Sequence, residues 1–306
     1  MRARSVPSTL VQVKWGGHMK QVLVTGANGR TGRRVIDKLL KHGASIRAFV
    51  RREEAARDML AMGVGECLIG NLESEADLYR AVKDVQQLVH ICPPMHPLED
   101  RIGKALVSAA ASSGVELFVE YSVLHPVIEV PHHRRKLAVE AALIDSGMPY
   151  VILQPARYMQ HLNPIWAELL RDGRHVLPFS TKTRFSLVDL EDLAEAVMRV
   201  LTQPHHAYAT YQLAGPEQLS MQDCAQRLTS LLGRDVEAIE RDEDSFRKVL
   251  EASGAAPERI QTMLTMNRHY SAHGLAGNSN VLRWLLGREP TRFEDFVTRE
   301  LLAKNA

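Results

Sequence analysis

The chain has 306 residues, of which 45% are hydrophobic and 24% are charged, an ordinary composition for a water-soluble globular protein. The formal net charge is +2, and three basic residues lie within the first 18, so the charge balance does not indicate a nucleic-acid partner. No run approaches the ~20 apolar residues of a membrane helix. The three scattered cysteines favour reduced thiols in the cytoplasm, and neither they nor the 13 histidines show a metal-ligand spacing.

Residues 1–18 begin with basic residues, as a signal peptide does, but polar residues interrupt their apolar stretch and no small-residue cleavage site follows. We therefore expect a disordered tail or an upstream start codon rather than a secretory signal. Met19 and Lys20 run directly into the first predicted strand.

Six short runs of β character alternate with helical patterns, at residues 21–25, 45–50, 66–69, 87–91, 116–122 and 150–154. This alternation predicts an α/β fold with a doubly wound parallel sheet, right-handed crossovers and a ligand crevice at the carboxyl ends of the strands. Three glycines each follow a helical run and precede a strand, as helix C-caps do: Gly43, Gly114 and Gly147.

The segment TGANGRTG joins the first strand to the first helix and spaces Gly26, Gly29 and Gly32 as G-x-x-G-x-x-G. Gly26 permits the turn off the strand, Gly29 lets a phosphate approach the backbone, and Gly32 lets the helix pack closely. The helix N-terminus then favours a pyrophosphate, and the Gly-Lys-Ser/Thr ending of a P-loop is absent. We expect a dinucleotide here, with a ligand-free turn as the alternative. The other candidate contacts in the loop are Asn28, Arg30 and Thr31.

The end of the second strand discriminates between NAD and NADP. Arg51 and Arg52 lie at this tip, in FVRREE, and their guanidinium groups suit the 2′-phosphate of NADP. Arg30 in the glycine loop is a third candidate cation. Glu53 and Glu54 favour NAD, but less strongly than the arginines favour NADP. We therefore predict NADP, with NAD as the alternative.

Two later segments follow the third and fourth strands and are expected along the same nucleotide. In GNL, Asn71 and Leu72 are placed to meet the adenine, with the Asn71 side chain as the polar contact. In ICPP, Cys92, Pro93 and Pro94 are placed along the nucleotide.

Beyond residue 155 the alternation loosens. Residues 185–201 indicate one more strand and helix that return to the first domain, and we expect the sheet to end there, before the linker-like TQPHHAYAT. Ser220 and Asp223, in capping-box spacing, and the closing Gly233 predict a helix. We expect a Rossmann-type domain over 19–155 with 185–201, and a smaller, mostly helical substrate lobe over 156–184 and 202–306.

Six segments follow one another along the chain: TGANGRTG, FVRR, ICPP, FVEYSV, HHRRKLAVEAALIDSGMPYVILQPARYM and GPEQLSMQDCAQRLTSLLGR. Over roughly residues 19–300 they resemble an NmrA-like member of the atypical short-chain dehydrogenases/reductases. The resemblance implies an extended Rossmann fold, a small C-terminal substrate lobe and NAD(P) binding, with Pro155 of QPARYM among the cofactor residues. It does not by itself imply catalysis, because the family includes redox-sensing regulators beside reductases of quinones, azo or triphenylmethane dyes and isoflavonoid-type double bonds.

Ordinary short-chain dehydrogenases use Ser, Tyr and Lys, where the Tyr hydroxyl delivers a proton and the Lys lowers its pKa and holds the nicotinamide ribose. Ser122 and Lys136 match two of these places, but His132 occupies the tyrosine place, four residues before Lys136. For Lys136 the resemblance implies ribose binding or an acid/base role. His132 is either a general acid or one more polar residue at the start of a helix.

Tyr158 lies nearer the expected nicotinamide crevice than Tyr121, because alternation along the strand points Tyr121 away from the cofactor side. Tyr158 is either a catalytic group or an aromatic packing residue. The segment PARYMQHLNPIW supplies the expected substrate wall, with core packing as the alternative, through Tyr158, Met159, His161, Leu162 and Trp166.

These patterns predict an NADP-preferring oxidoreductase that transfers hydride to a quinone or another conjugated, electrophilic small molecule. Such an acceptor can take its proton from water. The protein then mainly has to position the nicotinamide against the acceptor and exclude water from between them. The alternative is a non-catalytic redox sensor with a protein partner, which His132 in place of Tyr favours. An epimerase or dehydratase of nucleotide-sugars is disfavoured because Tyr-x-x-x-Lys is absent.

Overall fold

The computed structural model of the protein describes residues 20–303, so the leader predicted at 1–18 lies outside the described residues. Strands and helices alternate through the first half: β1 Gln21–Val24, α1 Arg30–Lys41, β2 Ser45–Val50, α2 Glu53–Ala61, β3 Glu66–Ile69, α3 Glu75–Val82, β4 Gln87–His90, α4 Glu99–Ser112, β5 Leu117–Tyr121, α5 Pro131–Asp145 and β6 Tyr150–Pro155.

The second half is richer in helix. After a 3₁₀ segment at Met159–Ile165 it contains α6 Trp166–Asp172, β7 Arg174–Leu177, β8 Arg184–Ser186, α7 Leu190–Thr202, β9 Ala209–Leu213, β10 Gln218–Ser220, α8 Met221–Leu232, β11 Glu237–Glu240, α9 Glu243–Ala252, α10 Pro257–His273, α11 Asn280–Leu286, α12 Phe293–Phe296 and a π-helical turn at Val297–Leu302.

Within residues 20–303, seven strands form one parallel sheet in the order β3-β2-β1-β4-β5-β6-β9. Val24 at the end of β1 lies beside Ala48 of β2 on one side and Val89 of β4 on the other. The order of connection reverses at β1, and doubly wound folds bind ligands in the crevice outside the carboxyl ends of the strands at such a point. The predicted α/β, Rossmann-type class is confirmed.

The strands of the second half differ from the prediction in two places. β9, which begins inside the predicted linker, pairs in parallel with β6 and becomes the edge of the main sheet. β8, predicted to return to the main sheet, instead pairs antiparallel with β10, and β7 pairs with β11. The sequence ATYQL of β9 is only partly apolar because an edge strand is buried less than a central one.

Side chains of β1 alternate between the two faces of the sheet, as a pleated strand requires. Val22 and Val24 pack in one apolar layer with Ile36 of α1, whereas Leu23 packs in the opposite layer with Leu106 of α4. Helices therefore cover both faces, and the carboxyl edge of the sheet is left for the site.

The local signals that predicted helix ends are confirmed. Ser220 accepts a hydrogen bond from the Asp223 N–H at 3.0 Å, and the Asp223 carboxylate accepts one from the Ser220 N–H at 2.9 Å. Left-handed φ values occur at the predicted C-caps Gly43, Gly114, Gly147 and Gly233.

Candidate functional site

The glycine loop lies at the carboxyl end of β1, and each glycine has a different environment. Gly26 has a φ of +60°, and a Cβ there would lie 2.4 Å from the Ile91 carbonyl oxygen. At Gly32 a Cβ would lie 2.3 Å from the Gly26 carbonyl oxygen, so close packing excludes a side chain. A Cβ at Gly29 would have one heavy atom within 4 Å among the described residues, apart from its chain neighbours. That atom is the same Gly26 oxygen, at 3.1 Å. Gly26 and Gly32 thus shape the loop, whereas Gly29 leaves one side of it open.

The first turn of α1 follows Gly29 and carries no acidic residue and no side-chain N-cap among the described residues. The N–H groups of Arg30 and Thr31 therefore belong to the unsatisfied donors that every helix start presents. The Asn28 side chain is held within the protein, because its oxygen accepts a hydrogen bond from the Arg33 guanidinium. Arg33 also pairs with Asp58 at 2.7 Å. The open backbone at Gly29 and the free N–H groups of Arg30 and Thr31, here called the cradle, fit a pyrophosphate.

Arg51 and Arg52 follow β2 and are exposed, and their side chains make no hydrogen bond or ion pair with any residue in the described range. Arg47, on the same strand, is by contrast paired with Glu66 at 2.8 Å. Arg30 also differs, because its Nη1 donates to the Gln160 carbonyl oxygen at 2.8 Å, on the substrate side. Two of the three candidate cations for a 2′-phosphate thus have unpaired side chains. The third, Arg30, is hydrogen-bonded to Gln160.

The remaining predicted cofactor residues lie at the carboxyl ends of β3 and β4. The Asn71 side-chain oxygen accepts from the Glu73 N–H at 3.1 Å, so this group shapes its own turn, and an adenine contact stays a prediction. Pro93 and Pro94 are exposed after β4. Leu72 packs against the core beside β3, and Pro155 is buried at the end of β6.

Cys92 is buried, and burial, reinforced by nearby Glu99, raises the pKa of its thiol far above the usual range. A thiol of this kind does not act as a nucleophile at neutral pH. Its place along a nucleotide remains a prediction.

Lys136 and His132 lie one turn apart on α5 and face the same carboxylate, as an i, i+4 pair does. The Lys136 Nζ is 2.7 Å from Glu99 Oε1 and donates to the Tyr121 carbonyl oxygen at 3.1 Å. The His132 Nδ1 is 3.6 Å from the other oxygen of Glu99. His132 is therefore part of this cluster rather than a solvated residue at the helix start.

The carboxylates around Lys136 have opposite pKa shifts. Burial acts to raise the pKa of Glu99, but Lys136 and His132 hold it at about 2. For Glu120 burial dominates, against the attraction of Lys136, and raises its pKa to about 8. Burial also acts to lower the pKa of Lys136, yet Glu99 and Glu120 keep it above the usual range, so the ammonium stays charged.

Ser122 faces a different buried group. Its hydroxyl donates to Glu140, which also accepts two hydrogen bonds from Gln154 Nε2 at 3.0 Å. A contact between Ser122 and a substrate stays a prediction, because this hydroxyl already has a carboxylate partner.

Tyr158 directly precedes the 3₁₀ segment between β6 and α6, and its ring stacks on His161 with centroids 5.6 Å apart. Burial raises the pKa of Tyr158, while neighbouring Tyr121 and Lys136 act to lower it. The Tyr121 hydroxyl is buried near Tyr158, and its direction relative to the cofactor stays a prediction. Burial and then this neighbour raise its pKa well above the usual range. The structure thus brings two tyrosines and a lysine together at the end of the sheet.

A narrow cleft opens beside Tyr158, and four of the five predicted wall residues line it: Tyr158, Met159, His161 and Leu162. Trp166 is buried in the core instead. Sequence reasoning missed the rest of the lining, because most of it comes from distant elements: Arg157, His175, Leu187, Met221, Cys224 and Phe293.

No group of three or more His, Cys, Asp or Glu side chains in the described part of the chain is arranged to hold a metal ion. No helix within residues 20–303 has the length and apolar character needed to cross a membrane.

Comparisons with known proteins agree with this fold. The profile of the NmrA-like family matches residues 18–298. An NAD(P)H azoreductase of Xenophilus azovorans is 26% identical, over 93% of this chain and 99% of the relative. The crystal structure of the Escherichia coli quinone oxidoreductase QOR2 with NADPH has a TM-score of 0.80 at 24% identity, covering 90% of this chain and 98% of that one. The Citrobacter triphenylmethane reductase with NADP(H) has a TM-score of 0.81 at 24% identity, covering 92% of this chain and 100% of that one.

Proposed function

The chain belongs to the NmrA-like family, and on that premise we propose that it is an NADPH-dependent reductase of quinones or other conjugated, electrophilic small molecules. The observation that carries the proposal is the adjacency of two features at one edge of the sheet. The open glycine loop touches the segment that forms the cleft wall, because Arg30 Nη1 donates to the carbonyl oxygen of Gln160, between the wall residues Met159 and His161. Similar proteins named as an azoreductase, a quinone oxidoreductase and a triphenylmethane reductase support this acceptor class.

The residues of the cradle fit NADP. Gly29 and the free N–H groups at the start of α1 suit the pyrophosphate, and the unpaired guanidinium groups of Arg51 and Arg52 suit the 2′-phosphate. Neither arginine has an acidic partner to compete with a phosphate in the described residues. The bound nucleotide supplies the hydride, and related structures contain NADPH or NADP(H).

The chain's own residues contribute a fixed charge and a shaped wall. Lys136 is held by Glu99 at 2.7 Å and keeps its proton, so it serves as a cation that orients a ribose hydroxyl or offsets developing negative charge. Tyr158 presents a hydroxyl at the cleft, where it hydrogen-bonds to an acceptor oxygen. An electron-poor acceptor completes its reduction with a proton from water, so no strong protein acid is required.

A redox sensor is the second candidate, and one observation favours it. His132 occupies the place of the usual catalytic tyrosine, and with Lys136 it is engaged by Glu99. A sensor binds NADPH and changes its affinity for a protein partner without consuming the nucleotide. The two candidates are therefore separated by incubating the protein with NADPH and a panel of quinones and dyes: a reductase oxidises NADPH only when an acceptor is present.

We also propose a cytoplasmic location, in keeping with three free cysteines. The partner in this proposal is a small-molecule acceptor that lies beside Tyr158.

A further inference from the structure

Arg157 is a cation that lacks an anion. It follows β6 and is partly buried, with its guanidinium carbon 5.1 Å from the centre of the Phe179 ring and 5.3 Å from that of Phe185. No carboxylate in residues 20–303 pairs with it, and its five N–H donors have no hydrogen-bond acceptor there. The two rings fix the position of the guanidinium while its N–H edge stays available.

The surroundings of Arg157 are neutral or positive. The lining of the cleft in the described structure contains no aspartate or glutamate. His161 and His175 line it with Arg157, and burial, followed by this arginine, lowers the pKa of the buried His175 to about 4, so it is uncharged at neutral pH. His175 is only 6% exposed, and its buried Nδ1 has no hydrogen-bond partner within residues 20–303.

No Arg157 nitrogen is a fully buried atom without a partner in the described structure, so water reaches the guanidinium. The aromatic rings hold it by cation–π contacts and leave its N–H groups open to an anionic ligand group. Burial lowers the pKa of Arg157, but arginine remains protonated. An anionic ligand group would give the Arg157 N–H groups an acceptor.

The cleft also limits the size and direction of such a ligand. Its interior volume is about 20 Å³, room for roughly one water-sized group. Tyr158 lines the same cleft and is next to Arg157 in the chain. A ligand beside Tyr158 can therefore extend one oxygen toward Arg157.

We propose that Arg157 is a specificity-determining residue that binds a terminal oxyanion of the substrate, a carboxylate, sulfonate or phosphate oxygen, while the reducible conjugated ring lies beside Tyr158. The inference rests on the proposed reductase function and adds the substrate class: acceptors that carry an anionic substituent. A guanidinium suits such a group because it donates two parallel, charge-assisted hydrogen bonds.

The test compares 1,4-naphthoquinone with its 2-sulfonate in wild type, Arg157→Met and Arg157→Lys. Replacement by Met is expected to lower the ratio of kcat/KM for the sulfonate to that for the neutral quinone about 10-fold or more, and Lys should retain part of the preference. Arg174→Met is the matched control, because it removes the same charge from an exposed position beside His175. Equal losses on both quinones, or an unchanged ratio, would overturn the inference.

A binding measurement separates this inference from the reductase proposal. Calorimetric titration of the NADP-loaded protein with 2-naphthalenesulfonate, which cannot be reduced by hydride, should give about 10-fold weaker affinity in Arg157→Met than in wild type. Thermal unfolding checks that each variant is folded. If neither quinone is turned over but this difference is found, the reductase proposal fails and the anion site stands. If a folded Arg157→Met binds the sulfonate as wild type does, the anion site fails whatever the turnover.

Discussion

Glu99 and Lys136 form a buried ion pair, with Glu99 Oε1 2.7 Å from the Lys136 Nζ and side chains only 2% and 8% exposed. The helices that carry them, α4 and α5, follow the adjacent strands β4 and β5, so the sheet order brings the two charges together. Each partner keeps the other ionised against the effect of burial on its pKa. Lys136 is therefore better suited to be a fixed cation than a proton donor, which narrows the two roles that the family resemblance implied.

Removing one partner of this pair should lower the free energy of unfolding much more than replacing both partners. Lys136→Met alone leaves Glu99 charged and buried, so we expect a loss of about 3–5 kcal/mol in the free energy of unfolding. Adding Glu99→Gln should recover a substantial part of that loss, because no uncompensated charge remains. Urea unfolding of both single variants and the double variant measures this coupling, and additive losses would show that the pair is not coupled.

Arg51→Ala should weaken NADPH binding far more than NADH binding, because only NADPH carries the 2′-phosphate. A charge-assisted contact is worth ~1.5–3 kcal/mol, roughly a 10- to 150-fold change in Kd. Nucleotide titrations of wild type, Arg51→Ala and the control Arg57→Ala provide the comparison. Arg57 is an exposed arginine on α2 whose loss should affect neither nucleotide. Equal weakening for NADPH and NADH would mean that Arg51 does not contact the phosphate.

Gly29→Val should abolish binding of both nucleotides while the protein stays folded. The φ of −76° at Gly29 accommodates valine, and its Cβ would lie 3.1 Å from the Gly26 carbonyl oxygen, so a small shift of the loop admits a side chain that occupies the open side. Gly114→Ala is the control, because it adds backbone strain at a φ of +71° far from the cradle. It should cost about 1 kcal/mol of stability and leave nucleotide affinity unchanged. Nucleotide binding that survives Gly29→Val would remove the pyrophosphate from this loop.

Glu120 should make the folded protein less stable as pH rises from 5 to 8. Its folded-state pKa of about 8 exceeds that of an unfolded glutamate, so in this interval the folded state retains a proton that the unfolded state has lost. The stability of Glu120→Gln relative to wild type should therefore increase with pH, by at most about 1.4 kcal/mol per unit. Thermal melts of both proteins at intervals of half a pH unit measure it. A difference that does not change with pH would place the Glu120 pKa near its ordinary value.

Sequence predicted the parts of this molecule that local chemistry determines. Ser220, Asp223 and Gly233 set the ends of α8 by themselves, and the apolar runs of β1 to β6 predicted the parallel sheet. The glycine loop carried its own signal because the turn, the close packing and the helix start lie within seven residues.

The unpredicted parts depend on residues that are distant in the chain. Nothing in the sequence near Lys136 indicates that Glu99, 37 residues earlier, holds its side chain. His175 and Cys224 reach the cleft only through the packing of later elements. β9 was missed because an edge strand lacks the continuous apolar run of a central one, and Arg157 was not singled out because its role depends on two rings, Phe179 and Phe185.

The most direct test of the reductase proposal is an anaerobic reaction of the protein with NADPH and 1,4-naphthoquinone, following both compounds by absorbance. We predict that one NADPH is oxidised per quinone reduced, and that Arg51→Ala shifts this turnover to higher NADPH concentrations. Tight NADPH binding with no oxidation across quinones and dyes would contradict the proposal and favour the sensor.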